Sequence, residues 1–261
     1  MAQVQIASGA SIGFSEAGRA GTPVLFLHGV GSDKSVWHSQ LAHFGEQRRA
    51  IAFDYPGYGE SSPAAERTTR DDYAAAVLAA MDSLGVDRAH ICGLSLGGVI
   101  AIALHHAAPD RCRSLIIADS FAVHPDGAAI YQRSLAGSRD MRALAEARTD
   151  SLLAQPPDPA VRAEVIETMS RIDPAAYVTG ARAVWLADQR ERARAIRAPT
   201  LVLCGTKDQP TPPALSEELA GLITGARYET IERAGHLTNL EQPGTFNCLV
   251  GDFLNGVEAA A

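Results

Sequence analysis

Residues 93–97, Gly-Leu-Ser-Leu-Gly, constrain the possible folds of this 261-residue chain more than any other stretch. Residues 88–92 end in an apolar run that predicts a buried strand, and residues 98–108 predict a buried helix that ends before Pro109. A glycine-x-serine-x-glycine sequence between a strand and a helix is typical of a nucleophile elbow, a tight turn that strains the serine backbone and exposes its hydroxyl. We therefore expect a strand–turn–helix unit that presents Ser95 at the edge of a sheet.

Strands and helices alternate along most of the chain. Short apolar runs predict buried strands at residues 24–27, 50–53, 114–118, 199–204 and 228–231. Helices are predicted at residues 36–44, 71–84, 213–222 and 244–254. An antiparallel hairpin is expected from residues 4–6 and 12–14, and a frayed end at residues 258–261. Because parallel strands need crossover connections, this order predicts an α/β fold with a mostly parallel, doubly wound sheet.

The alternation stops between residues 121 and 196. This stretch is rich in alanine and arginine and contains no strand pattern. Glycine and proline divide it into helix-length pieces, at Pro125, Gly137, Pro156, Pro157, Pro159 and Pro174. We predict that residues 1–120 and 197–261 form one core domain, and that residues 121–196 form an inserted helical cap.

Composition and charge exclude several classes of protein. An apolar fraction of 46% supports a large core, and a net charge of −7 without a basic run argues against a nucleic-acid partner. The N-terminal residues lack the pattern of a signal peptide, and no run of 18 apolar residues exists, so we expect a cytoplasmic chain without a membrane partner. The four cysteines show no Cys-x-x-Cys spacing and are expected to be free thiols. His105 and His106 are adjacent on a predicted helix and face different ways, so no metal site is expected.

A serine hydroxyl needs a base within hydrogen-bond reach, and the base needs an acid to orient it. In a sheet of this order, both groups follow the serine in the chain, on loops after late strands. Asp208 follows the strand before the last one, and His236 follows the last strand. We therefore predict a triad of Ser95, His236 and Asp208. Asp119, which follows the preceding strand, is the alternative acid, and His28 is an alternative catalytic group that otherwise orients its glycine-rich loop.

An oxyanion produced by attack of Ser95 would need two preorganised donors. The expected donors are the backbone N–H groups of Leu96, directly after the serine, and of Val30, in the loop after the first buried strand. Gly29 and Gly31 allow this loop to turn inward. The Ser32 hydroxyl is a further candidate donor.

These residues are similar to the α/β-hydrolase superfamily over nearly the whole chain. Within that superfamily, the C-terminal third and residues 172–177 resemble the 3-oxoadipate enol-lactonase group. The resemblance rests on His28-Gly29, residues 93–97, 199–202, 205–208, 211–213 and 234–243. It implies an α/β-hydrolase fold and the hydrolysis of an ester or lactone by a Ser-His-Asp triad, without a cofactor. The chain departs from that group at residues 149–153, where the group carries a Trp-Phe pair, and in the loop 28–31, which is closer to general esterases.

The predicted cap is expected to determine which substrate binds. Candidate contacts are Gly29 beside the serine and the large apolar side chains of the cap segment, namely Phe121, Tyr131, Tyr177, Trp185 and Leu186. An acidic substrate would need a cation in the pocket. The cap offers Arg133, Arg139 and Arg142, for which solvation at the surface is the simpler interpretation.

We expect a serine hydrolase that cleaves a carboxylic ester or lactone of a small organic substrate through an acyl-enzyme. A carbon–carbon bond hydrolase of ring-cleavage products uses the same triad and is an alternative, as is a ligand sensor that retains the triad without turnover. A haloalkane dehalogenase is disfavoured because Ser95 stands where that enzyme needs aspartate. A perhydrolase is disfavoured because residues 29–31 lack proline. The oligomeric state is left open.

Overall fold

The computed structural model describes residues 2–260. Its strands are β1 (Ala2–Gln5), β2 (Ser11–Ala17), β3 (Val24–Leu27), β4 (Ala50–Phe53), β5 (Ala89–Leu94), β6 (Cys112–Ala118), β7 (Thr200–Gly205) and β8 (Arg227–Ile231). They form one sheet in the order β1-β2-β4-β3-β5-β6-β7-β8. The pairs β1–β2 and β2–β4 are antiparallel, and every other neighbouring pair is parallel. The prediction of a mostly parallel α/β sheet is confirmed.

The central strands are covered on both faces, which explains their continuous apolar sequences. Every residue of β3, β4, β5 and β7 is buried, and in β6 only Arg113 is partly exposed. The parallel strands end at the same edge of the sheet. The loops that follow β5, β7 and β8 therefore meet at this edge, and these loops carry Ser95, Asp208 and His236.

Helices cover both faces of the sheet. They are α1 (His38–Gly45), α2 (Arg70–Ser83), α3 (Leu96–Ala107), α4 (Gly127–Gly137), α5 (Met141–Leu152), α6 (Pro159–Ser170), α7 (Pro174–Trp185), α8 (Arg190–Ala195), α9 (Pro213–Leu222), α10 (Thr238–Glu241) and α11 (Pro243–Ala259). On one side α1 packs against α11, and on the other α2, α3, α8 and α9 contact one another in that order. Within the described part of the chain, no helix combines the length and apolar character needed to cross a bilayer.

The helices α4 to α8 lie in the long connection between β6 and β7. Several begin at the aspartate–proline pairs of the sequence: Asp158 and Asp173 accept hydrogen bonds from free N–H groups, and prolines occupy the first turns of α6 and α7. An isolated antiparallel bridge between Val123 and Asp188 joins the two ends of this connection. The last helix, α8, packs on α3 and α9 of the sheet layer. The boundaries of a cap domain at residues 121 and 196 stay a prediction.

Two of the differences between predicted and observed element ends lie at the elbow and at the C-terminus. The strand β5 continues to Leu94 and α3 begins at Leu96, so the elbow is a turn of one residue. The expected frayed end was wrong for residues 258 and 259, because α11 continues through Ala259 and Glu258 forms an ion pair with the buried Arg48. The last residue, Ala261, lies outside the described residues.

Candidate active site

Ser95 occupies the turn between β5 and α3 in a strained conformation. Its φ of 53° lies in the left-handed region, which residues other than glycine rarely adopt. Its N–H donates a hydrogen bond of 2.9 Å to the backbone oxygen of Ala118 on β6. The turn requires glycine on both sides, because a methyl group at Gly93 would overlap the backbone of Gly97, and one at Gly97 would overlap the backbone of Leu27. The elbow sequence is thus explained by close backbone approach.

Asp208 and His236 are joined by a buried hydrogen bond. The Nδ1 atom of His236 lies 2.9 Å from Oδ2 of Asp208, and both side chains are almost completely buried. Thr211 holds the carboxylate from the other side: its N–H donates to Oδ1 at 2.9 Å, and its hydroxyl donates to Oδ2 at 2.7 Å. A carboxylate held in this way fixes the imidazole with a proton on Nδ1, which leaves Nε2 as the acceptor.

Ser95 and His236 line the same narrow cavity. Gly29 closes one side, since a methyl group there would lie 3.5 Å from Cβ of Ser95. The other lining residues are mostly apolar: Val30, Gly31, Ser32, Val36, Arg148, Leu152, Glu164, Val165, Thr168, Met169, Trp185, Leu237 and Leu240. Among residues 2–260, no hydrogen bond joins the Ser95 hydroxyl to His236; in unliganded sites such contacts commonly tighten only when substrate binds.

The two predicted oxyanion donors are both available. Leu96 is the first residue of α3, so its N–H has no acceptor within the helix. In residues 2–260, neither this N–H nor that of Val30 donates to another backbone or side-chain group. Ser32 also lines the cavity, as Gly31 does.

The predicted aromatic contacts separate into three groups. Trp185 lines the cavity beside Ser95. The ring of Phe121 stacks on the ring of Trp185, with centroids 5.8 Å apart. Phe121 and Tyr177 are themselves fully buried and do not line this cavity, because they form the packing beneath it. Tyr131 lies away from it, in a separate surface cavity beside the start of α7, and Leu186 is exposed. Tyr131 lies on a face of α4 away from this cavity, which sequence periodicity alone does not define, and Leu186 lies just beyond the end of α7.

Most of the cavity wall was missed by sequence reasoning. The side chains of Leu152, Val165 and Met169 come from α5 and α6, where their pattern was indistinguishable from helix core. Leu237 and Leu240 follow His236 within a segment that carried the family resemblance, so their proximity to the site could have been inferred.

Arg148 is a partly buried cation that the sequence interpretation also missed. It lines the cavity at Ser95 and also a second, outer cavity, and Trp185 lines both cavities as well. Its Nη1 donates a hydrogen bond of 2.5 Å to the hydroxyl of Tyr177. Within the described residues it pairs with no carboxylate, whereas Arg142 on the same helix is exposed and pairs with Glu146. The guanidinium therefore retains donors that can reach an anion.

The two alternative candidates occupy buried positions away from the cavity wall. His28 donates through Nδ1 to the backbone oxygen of Gly29 at 2.8 Å and packs against Tyr55, and burial lowers its pKa. It therefore supports the glycine-rich loop. Asp119 accepts from the N–H of Gly205 at 2.9 Å and makes no hydrogen bond with His236.

One buried group brings possible metal ligands together. Polar atoms of Asp119, Cys204 and Asp208 lie within 4.8 Å of one another. The oxygens of Asp208 already accept hydrogen bonds from Thr211 and His236, and burial raises the pKa of the Cys204 thiol. These residues fit a hydrogen-bonding role better than metal binding.

Comparisons with known proteins show what the chain as a whole is similar to. The chain matches the family described as alpha/beta hydrolase fold over residues 22–243. It is 29% identical to 3-oxoadipate enol-lactonase 1 of Acinetobacter baylyi over 239 residues, which are 90% of this chain and 89% of that protein. It is 32% identical to 2-hydroxymuconate semialdehyde hydrolase of a Pseudomonas species over 273 aligned positions, which cover 98% of this chain and 94% of that protein.

A solved structure gives the same result. The crystal structure of the enol-lactonase from Burkholderia xenovorans superposes with a TM-score of 0.91 at 28% identity, covering 97% of this chain and 100% of that chain. The resemblance inferred from the sequence motifs is confirmed by these matches.

Proposed function

Because this chain belongs to the alpha/beta hydrolase fold family, we propose that it is a serine hydrolase of carboxylic esters or lactones of small organic acids. The observation that carries the proposal is the arrangement of three side chains. Ser95 projects from the elbow into a cavity that His236 also lines, and Asp208 binds the far side of the same imidazole. This is the order of groups that activation of a serine hydroxyl requires.

In the proposed mechanism, Oγ of Ser95 attacks the substrate carbonyl while Nε2 of His236 takes its proton. Asp208 keeps the imidazole in the correct tautomer and stabilises its cation. The N–H groups of Leu96 and Val30 bind the oxyanion, and the positive end of α3 adds to their effect. The protonated His236 then gives its Nε2 proton to the leaving oxygen, so that the alcohol leaves or the lactone ring opens. Water activated by His236 releases the acid from the acyl-enzyme.

The cavity wall favours a mainly apolar acyl group with one negative charge. Aliphatic side chains and Trp185 cover most of the surface, which suits a hydrocarbon segment. Arg148 supplies a cation to this wall and has no carboxylate partner in the described residues. Glu164 also lines the cavity, but its Oε1 lies 3.7 Å from Nδ1 of His38 and its side chain is 35% exposed to solvent. We therefore propose a substrate that carries a free carboxylate, and Gly29 and Trp185 as its further contacts.

The test is hydrolysis of a short panel by the native protein and by Ser95→Ala. The panel contains 4-nitrophenyl acetate and butyrate, a 4-nitrophenyl ester of a dicarboxylic acid, and 3-oxoadipate enol-lactone. Ser95→Ala should lower kcat by roughly 10⁴–10⁶-fold, because the members of a triad act as a unit. Turnover by Ser95→Ala near the native rate would refute the mechanism.

A second candidate reaction is hydrolysis of a carbon–carbon bond in a ring-cleavage product. Its support is the 32% identity to a 2-hydroxymuconate semialdehyde hydrolase over nearly the whole chain. The same triad serves both reactions, so the assay must separate them. Adding 2-hydroxymuconate semialdehyde to the panel does so: a kcat/KM highest for this compound favours carbon–carbon cleavage, and one highest for the lactone or the esters favours the first proposal.

A further inference from the structure

Asp119 is a buried carboxyl group that the proposed mechanism does not use. It lies at the end of β6, completely buried, with a φ of 49° that marks a strained backbone. Its Oδ1 accepts a hydrogen bond of 2.9 Å from the N–H of Gly205, and its Oδ2 lies 2.5 Å from Oγ1 of Thr238. One side chain thus contacts the end of a strand and the start of a helix.

Both partners are close in sequence to the triad. Gly205 ends β7, three residues before Asp208, and Thr238 begins α10, two residues after His236. The hydroxyl of Thr211, which donates to Oδ2 of Asp208, also lies 3.1 Å from the backbone oxygen of Asp119, so the backbone of Asp119 lies beside the acid. Asp119 therefore connects the loop of the acid to the loop of the base.

Two carboxyl groups this close in a dry environment do not both ionise readily. Asp208 already accepts hydrogen bonds from Thr211 and from His236. Burial, and then the charge of Asp208, raise the pKa of Asp119 well above its usual range. The other titratable groups that influence Asp119, or that it influences, are Cys204, Tyr228 and Glu241.

We propose that Asp119 is a positioning residue that joins the Asp208 and His236 loops as an uncharged hydrogen-bonding side chain. In the structure Oδ1 accepts from Gly205 and Oδ2 accepts from the Thr238 hydroxyl; protonation of Oδ2 reverses the second hydrogen bond, so that the carboxyl group donates to Thr238. An asparagine offers the same acceptor and donor in the same shape, and alanine offers neither. The proposal rests on the triad proposed above.

The experiment compares Asp119→Asn and Asp119→Ala on the best ester of the panel. Asp119→Asn should keep kcat within about threefold and leave the acid limb of the pH profile of kcat/KM unchanged. Asp119→Ala should lower kcat by about 10–100-fold with little change in KM, and shift that acid limb, because the His236 loop loses its link to the Asp208 loop. Asp110→Ala, an exposed aspartate before the other end of β6, is the control and should behave as the native protein.

Two outcomes overturn the proposal: Asp119→Ala with native kcat and pH profile, or Asp119→Asn as impaired as Asp119→Ala, which would assign the role to a charge. Should Asp119→Ala be insoluble, Thr238→Val breaks the same link from the other side and must lower kcat about tenfold or more. Labelling of Ser95 by a fluorophosphonate separates this failure from failure of the triad itself. If the triad is wrong, the native protein is not labelled. If only the role of Asp119 is wrong, the native protein is labelled and Asp119→Ala is labelled at the same rate.

Discussion

The N–H of His236 donates a hydrogen bond of 2.7 Å to the backbone oxygen of Leu152, at the end of α5. The loop that carries the proposed base is therefore bound directly to the inserted helices. Glu241 strengthens this connection, because its Oε1 accepts from the N–H of Ala154 and its Oε2 from the N–H of Gly235, both at 2.7 Å. A movement of this end of α5 would move the imidazole as well, so the helices that form the cavity wall also influence the chemistry beneath them.

The first prediction concerns this clamp. Glu241→Gln places an amide NH₂ against one of the two backbone N–H groups, which then loses its acceptor. A buried N–H without a partner costs about 1–3 kcal/mol, so the free energy of unfolding should fall by this amount. We also expect kcat to decrease, because the backbone of Gly235 precedes His236. Urea unfolding and ester turnover measure the two effects, with the exposed Glu217→Gln on α9 as the control. Native values for Glu241→Gln in both assays would contradict the clamp.

The second prediction concerns the elbow. Gly97→Ala would place a methyl group onto the backbone of Leu27, which cannot move without disturbing β3. Overpacking of this kind should lower the free energy of unfolding by about 3 kcal/mol. The control is Gly256→Ala in α11, where a methyl group meets nothing within 4 Å and helix propensity should raise stability by up to about 1 kcal/mol. Equal unfolding midpoints in urea for the two variants would show that the strand and the helix do not approach closely.

The elbow and the ends of the strands could be predicted from the sequence because local sequence patterns determine them. Glycine spacing around Ser95 follows from backbone contacts, and parallel topology places Asp208 and His236 at the same edge of the sheet. The residues of the cavity wall could not be predicted from local sequence patterns. Whether Tyr131 or Arg148 faces the serine depends on how α4 to α7 pack on one another, and of the two Arg148 lines the Ser95 cavity. The buried link made by Asp119 depends on contacts between residues more than 80 positions apart in the chain, which no local pattern encodes.

The third prediction tests the charge in the cavity. Arg148→Met keeps the stem of the side chain and removes the guanidinium. If Arg148 binds a substrate carboxylate, KM for a mono-4-nitrophenyl ester of a dicarboxylic acid should rise about 10–100-fold. This factor corresponds to the free energy that a charge-assisted hydrogen bond contributes to binding. KM for the neutral 4-nitrophenyl butyrate should change little, which separates loss of the anchor from loss of the hydrogen bond to Tyr177. Arg142→Met on the same helix, exposed and outside the cavity, serves as the control. An equal rise for both esters would refute a carboxylate anchor.

The fourth prediction concerns stability below neutral pH. His90 is completely buried in β5, with Nδ1 2.7 Å from Oγ of Ser114, and burial lowers its pKa from 6.5 to about 4. His90 binds a proton near pH 6.5 in the unfolded chain but only near pH 4 in the folded chain. Above pH 6.5 the free energy of unfolding is therefore unaffected by this histidine, and it decreases as the pH falls from 6.5 to 4. The loss amounts to at most about 3 kcal/mol.

The measurement for His90 is the free energy of unfolding in urea from pH 7.5 to pH 4. His90→Gln removes the titrating group, so its stability should depend less steeply on pH than that of the native protein, whatever its stability at pH 7.5. His43→Gln, at an exposed position on α1, should retain the native slope, since that histidine lies in solvent. Parallel curves for all three proteins would mean that His90 accepts a proton in the folded state as readily as in the unfolded chain, and that the decline in stability comes from other titrating groups.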